Sequence, residues 1–205
     1  MSNRIITISR EFGSGGRTIG KEVAAKLGIH CYDSELIEKI AQESGLAKEF
    51  IAEKGEYASH GGWLANAFSY GSSYNGTSVQ DYLWKVQREI ILELAEKESC
   101  VIVGRCADYI LRDHDNCLKV FIHADSDKRA ERIVKIYGET MAAPEKRLQD
   151  KDMKRKAYYH FYTNMEWGEI QNYHITLDSG VLGIDKCVDI ITDLYQMRDD
   201  SRCRR

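Results

Sequence analysis

The chain has one proline in 205 residues, no C-x-x-C pair and no internal repeat or low-complexity tract. No apolar run approaches the roughly 18 residues that span a bilayer, and MSNRIITIS has no signal-peptide core, so the expected location is cytoplasmic. The formal net charge is −3, too balanced to suggest general affinity for nucleic acid or a membrane surface. The six cysteines (Cys31, Cys100, Cys106, Cys117, Cys187 and Cys203) lack metal-ligand spacing, and most lie in or beside apolar segments. A zinc site or disulfide framework is therefore not expected, and buried free thiols are. At 205 residues the chain reads as one domain, 1–205, with room for an inserted lobe, and its single proline is Pro144.

What is present begins at residues 5–28, IITISREFGSGGRTIGKEVAAKLG: an apolar β-branched run, a glycine-rich turn and an amphipathic helix. That order cradles phosphate, because glycines let backbone N–H groups converge on an anion at a helix N-terminus. Laid against G-x-x-x-x-G-K-[ST], residues 11–18 (EFGSGGRT) match at Gly16 and Thr18, while Glu11 replaces the first glycine and Arg17 the lysine. A dinucleotide loop, with Asp33 on a ribose, would need G-x-G-x-x-G; here Gly13 and Gly15 are followed by Thr18 where the third glycine belongs.

Strands are expected at 5–9, 29–32, 100–103, 118–123 and 173–177. Helices are expected after the glycine loop, after Asp33-Ser34, over 79–97, briefly behind Arg105, after Ala124-Asp125-Ser126, over 144–161 and from Ile184, with a frayed tail from Arg198. Residues 48–78, rich in Gly, Ser and Tyr, break the rhythm as a loop or lobe over the site. The alternation predicts an α/β fold with a parallel sheet. Ligands then sit at the strands' carboxyl ends: residues 10–16, Asp33-Ser34, Gly104-Arg105, Ala124-Asp125 and Asp178-Ser179.

Phosphoryl transfer needs cations, a metal ligand and grips on two substrates. Arg10, Arg17, Arg105, Arg129, Arg132, Lys151, Lys154 and Arg155 are the candidate cations, and Thr18 the candidate Mg²⁺ ligand. Asp152 and Arg155, three apart, share a helical face that suits a closing lid. His60, His123 and His174 show no ligand spacing, and Tyr158, Tyr159 and Tyr162 read as packing residues.

With these pieces in place, the segments SREFGSGGRTIGKEVAAKLG, HCYDSELIEKIA, VIVGRCADYIL, FIHADSDKRAERI, DKDMKR and ITLDSGVLGIDKCVDII together resemble the cytidylate kinase-like family of P-loop kinases. The resemblance implies a three-layer P-loop kinase fold: a central five-stranded parallel sheet with helices on both faces, a helical monophosphate-binding insert near 34–98 and a lid near 140–165. It implies Mg²⁺-dependent transfer from ATP to CMP or dCMP by a monomer or homodimer. Gly13, Ser14, Gly15, Gly16, Arg17 and Thr18 would hold ATP; Asp33, Ser34, Arg105, Asp152 and Arg155 would hold the acceptor; Arg17, Arg105 and Arg155 would be catalytic. Glu11 departs from the family's loop and calls for Arg10 or Arg17 as a partner. A same-fold kinase with another small-molecule acceptor, and a nucleotide-binding protein without catalysis, stay open at this point.

Overall fold

Isoleucines on both faces of one strand call for a sheet covered on both sides. In β1 (Ile5–Arg10), Ile5, Ile6 and Ile8 are all fully buried. The structure is a computed structural model and describes residues 3–33, 73–74, 77–138 and 140–200. After β1 come α1 (Gly16–Leu27), β2 (His30–Tyr32), a hairpin of β3 (Ser73–Tyr74) and β4 (Thr77–Ser78), and α2 (Val79–Lys97). β5 (Cys100–Val103), α3 (Ala107–Ile110), β6 (Cys117–His123), α4 (Ser126–Tyr137) and α5 (Pro144–Thr163) follow. A short 3₁₀ turn then leads to β7 (Ile175–Asp178), α6 (Ser179–Leu182) and α7 (Ile184–Asp200).

Five strands form one parallel sheet in the order β2-β5-β1-β6-β7. β1 is central, so the connections diverge to either side of its carboxyl end and leave a crevice there. Alternate residues feed two cores. Ile5 and Ile102 pack with Val86, Ile90, Ile91 and Leu94 of α2 and with Ile110 of α3. Ile6, Ile8, Val101, Val103, Val120 and Ile122 pack with Ile19 and Val23 of α1 and Val188 and Ile191 of α7. Each such side chain contributes about 1.5–3 kcal/mol of burial.

The expected alternation and five-strand sheet are both present. Asp178-Ser179-Gly180, expected as a turn, opens a one-turn helix instead, because the Asp178 carboxylate accepts from the Gly180 and Val181 N–H groups. The terminal helix runs to Asp200, past the expected fraying point. Ser34, the helix expected after it, and all of 48–78 except the small hairpin lie outside the described residues.

Candidate active site

The phosphate loop is shaped by residues that only glycine suits. Gly13 and Gly15 have φ of 84° and 83°, in the left-handed region, and α1 starts at Gly16 with no side-chain cap and no acidic residue in its first turn. The N–H groups at the start of a 12-residue helix thus stay open for an anion. Ser14 does not offer its hydroxyl: it is buried and bonded to the Glu11 and Ile122 carbonyls at 2.9 and 3.2 Å. The expectation that Ser14 meets ATP is thereby narrowed to its backbone. Ser179 braces the loop from behind, donating to the Ser14 carbonyl at 2.6 Å.

Around this loop the guanidinium groups converge. Arg17 Nε donates to Asp33 at 2.8 Å, and Lys21 approaches the same carboxylate at 3.7 Å. Asp33, expected on the acceptor, is here the counter-charge of Arg17. Arg10 is partly buried, and burial together with Arg155, Arg105 and Arg17 pulls its pKa down to about 9, with Asp33 opposing. The first cause is burial and the next is the neighbouring arginines, so positive charge is concentrated at this strand end.

The helix α5 is latched to the loop. Asp152 on α5 accepts from the Phe12 N–H at 2.8 Å and from Arg129 Nη1 at 2.6 Å. Arg129 also donates to the Phe12 carbonyl at 3.2 Å, so both polar groups of the Phe12 backbone are engaged. Arg155 donates to the Arg10 carbonyl at 3.0 Å and lies 3.3 Å from Asp152, which realises the shared helical face expected of that pair. Glu11 is paired by neither Arg10 nor Arg17. Its carboxylate accepts from the Ala124 N–H at 3.2 Å and faces Arg129 Nε at 3.4 Å, which directs its charge toward α4.

On the other side of β1, the turn after β5 is strained. Gly104 (φ 81°) is followed by two non-glycine residues in the left-handed region, Arg105 (57°) and Cys106 (54°). Such conformations cost on the order of 1–3 kcal/mol each and persist only where surroundings enforce them. The enforcement is visible at Asp108, which is buried and accepts from Ser9 Oγ at 3.1 Å and from Tyr159 Oη at 2.7 Å. Burial holds the Asp108 carboxyl above its ordinary range, against the lowering effect of those two hydrogen bonds. Tyr159 is thus a polar tie between α5 and the turn as well as a packing residue. Tyr158, beside it, donates to Gln87 Oε1 at 3.4 Å. Trp84 of α2 stacks on Tyr162 at 4.4 Å and meets Tyr158 edge-on.

Thr18 is engaged by Arg132, whose Nη2 donates to its hydroxyl at 3.0 Å. A magnesium ion on that oxygen would face a guanidinium across one atom. As placed, these residues do not fit a metal on Thr18, and no step is routed through it. The five described cysteines are free, and burial pushes Cys31 and Cys100 up to about 11 and about 12, so neither is an activated thiolate. His174 Nδ1 accepts the Lys119 N–H at 3.1 Å, a structural role.

The sequence reading counted Arg10, Arg129 and Arg132 only among several cations and did not single out Gln87 or Asp108. For Gln87 a signal existed: it lies four after Leu83 and three before Ile90, a polar residue on an apolar stripe.

A family model described as the cytidylate kinase-like family matches residues 5–181. A cytidylate kinase of Archaeoglobus fulgidus is 30% identical over 199 residues, which cover 94% of this chain and 95% of that protein. The crystal structure of an uncharacterized protein from Eubacterium ventriosum superposes with a TM-score of 0.73 at 29% identity, covering 95% and 99% of the two chains. Shikimate kinase from Acinetobacter baumannii shares the fold alone, at TM-score 0.53 and 14% identity over 96% of this chain and 94% of the other.

Proposed function

This chain belongs to the cytidylate kinase-like family of P-loop kinases, and from that premise we propose that it transfers the γ-phosphoryl group of ATP to a pyrimidine nucleoside monophosphate, CMP or dCMP, in the cytoplasm. The observation that carries this reading is the charge in the crevice. Arg10 runs from Gly16 at the glycine loop to Gly104 beside Arg105, Arg155 holds the Arg10 carbonyl, and Arg17 stands at the loop against Asp33. One nucleotide on the glycine loop would leave the Arg105 side with excess charge. Two phosphate-bearing substrates, one on each side of β1, would satisfy it. The pyrimidine preference rests on the similarity to a cytidylate kinase.

In this reading the loop N–H groups hold the ATP phosphates, Arg105 holds the acceptor phosphate, and the latched lid helix keeps water from competing for the phosphoryl group. No helix among the described residues is long and apolar enough to cross a membrane. The test is ADP release from Mg·ATP with CMP, dCMP, UMP and AMP as acceptors. Turnover led by CMP and dCMP is expected. Preference for any other acceptor would replace the pyrimidine assignment, and binding of ATP without any turnover would favour the non-catalytic alternative.

The acceptor side carries a second prediction. Tyr158 Oη donates to Gln87 Oε1 at 3.4 Å, which leaves Nε2 as the open end of the Gln87 amide. Gln87 is buried, and its Nε2 has no hydrogen-bond partner among the described residues. A buried donor left unpaired costs about 1–3 kcal/mol, which an oxygen of the bound acceptor would offset. Gln87→Met is expected to raise the acceptor KM about tenfold, equivalent to about 1.4 kcal/mol, with the ATP KM and the melting temperature unchanged. Equal changes in both KM values would remove Gln87 from the acceptor site.

A further inference from the structure

The loop position that normally carries a phosphate-binding lysine is Arg17, but Arg17 is tied to Asp33. A different arginine reaches from the glycine loop to the turn after β5. The side chain of Arg10 leaves the carboxyl end of β1 between two glycines. A methyl group at Gly16, the first residue of α1, would come within 2.5 Å of Arg10 Cβ and 2.9 Å of its Cγ. A methyl group at Gly104, which opens the strained turn, would run into the Arg10 guanidinium. Arg10 therefore starts against the phosphate loop and ends against the turn that carries Arg105. Its guanidinium makes no hydrogen bond or ion pair among the described residues, whereas Arg17, Arg129, Arg132 and Arg155 all have partners there. Its backbone carbonyl is held by Arg155, so the strand end from which it projects is fixed to the lid helix.

Building on the phosphoryl-transfer reading above, we propose that Arg10, and not Arg17, is the catalytic residue that stabilises the phosphoryl group in flight between ATP and the acceptor. In that step the bond from the γ-phosphorus to the β,γ-bridging oxygen breaks and ADP keeps the electron pair. An oxygen lone pair of the acceptor forms the new bond to phosphorus. Charge is then spread over three equatorial oxygens, and an unpaired guanidinium fixed between the two substrates meets it without reorganising. The depressed Arg10 pKa fits this role, because the free protein holds a cation there that lacks its counter-ion. The two glycines are the room this side chain needs.

The test compares Arg10→Met, Arg10→Lys and Arg17→Met with whichever acceptor the wild type turns over, beginning with CMP. Arg10→Met is expected to lower kcat about 100- to 1,000-fold, with ATP and acceptor KM values within threefold of wild type. Arg10→Lys should recover at least tenfold of that loss, while Arg17→Met should act mainly on the ATP KM. A second measurement needs no acceptor: the thermal shift given by ADP with magnesium and aluminium fluoride, a mimic of the transferring group. Arg10→Met should lose the extra shift due to fluoride and keep the shift due to ADP alone, which also shows that the variant is folded. A kcat loss below tenfold in Arg10→Met, an equal or larger kcat loss in Arg17→Met, or a retained fluoride-dependent shift would overturn the proposal. Turnover of another acceptor in place of CMP would overturn the pyrimidine assignment and leave the Arg10 comparison intact.

Discussion

Asp152→Ala is expected to lower kcat about 100-fold, a loss typical of a misplaced catalytic element, and to raise ATP hydrolysis in the absence of acceptor. The reason lies in what this carboxylate holds. It is 13% exposed and ties Phe12, at the apex of the phosphate loop, to Arg129 of α4 and Arg155 of α5. Removing one member of such a buried pair costs about 3–5 kcal/mol, because the partner charge stays buried and uncompensated. Arg129 would lose its shortest contact, the Phe12 N–H its acceptor and the lid helix its latch. Water would then reach the phosphoryl group. Asp152→Asn keeps the Phe12 hydrogen bond but not the charge, so an intermediate effect is expected. If Asp152→Ala left kcat and the acceptor-free hydrolysis rate at wild-type levels, the latch would have no part in turnover. The same measurements decide between this role and the grip on the acceptor that the family resemblance implies.

Replacing Arg105 with alanine should raise the acceptor KM about 100-fold and change the ATP KM less than threefold. Hydrogen bonds to charged groups contribute about 1.5–3 kcal/mol, and a guanidinium can offer two to one phosphate. The backbone supplies a control. Arg105 sits at φ 57°, where an L-residue is strained by about 1–2 kcal/mol relative to glycine. Arg105→Gly should therefore match Arg105→Ala in acceptor KM while melting several degrees higher. Proportional increases in both KM values would show that Arg105 is not specific to the acceptor. A lower melting temperature for the glycine variant would show that the turn is not strained.

Periodicity made the elements legible. The apolar stripes of α1, α2 and α7 and the buried runs of β1, β5 and β6 alone indicated a parallel sheet, and the glycine loop indicated which edge binds. Local spacing also placed Asp152 and Arg155 together. Long-range pairing was not legible. Arg129 finds Asp152 across 23 positions of sequence and Arg132 finds Thr18 across 114. Nothing in Glu11 names Ala124 and Arg129 as its partners. Arg10 read as one cation among eight because its distinction is a path between two glycines 88 positions apart in the chain. That the Ser14 hydroxyl turns inward to the Glu11 and Ile122 carbonyls leaves no trace in composition.

The central place of β1 also has a consequence for how the chain is made. Its two sheet neighbours are β5 and β6, with Ile5 in register with Cys100 and Cys117. At about 5–20 residues per second, the ribosome takes several seconds or longer to produce the second of them after β1. During that interval IITIS is an uncharged, proline-free, isoleucine-rich segment with both edges unpaired, the composition that favours intermolecular strand stacking. The central strand of the sheet is thus also an aggregation hazard of the nascent chain, and yield of soluble protein on expression should respond to elongation speed and chaperone supply as well as to the stability of the finished fold.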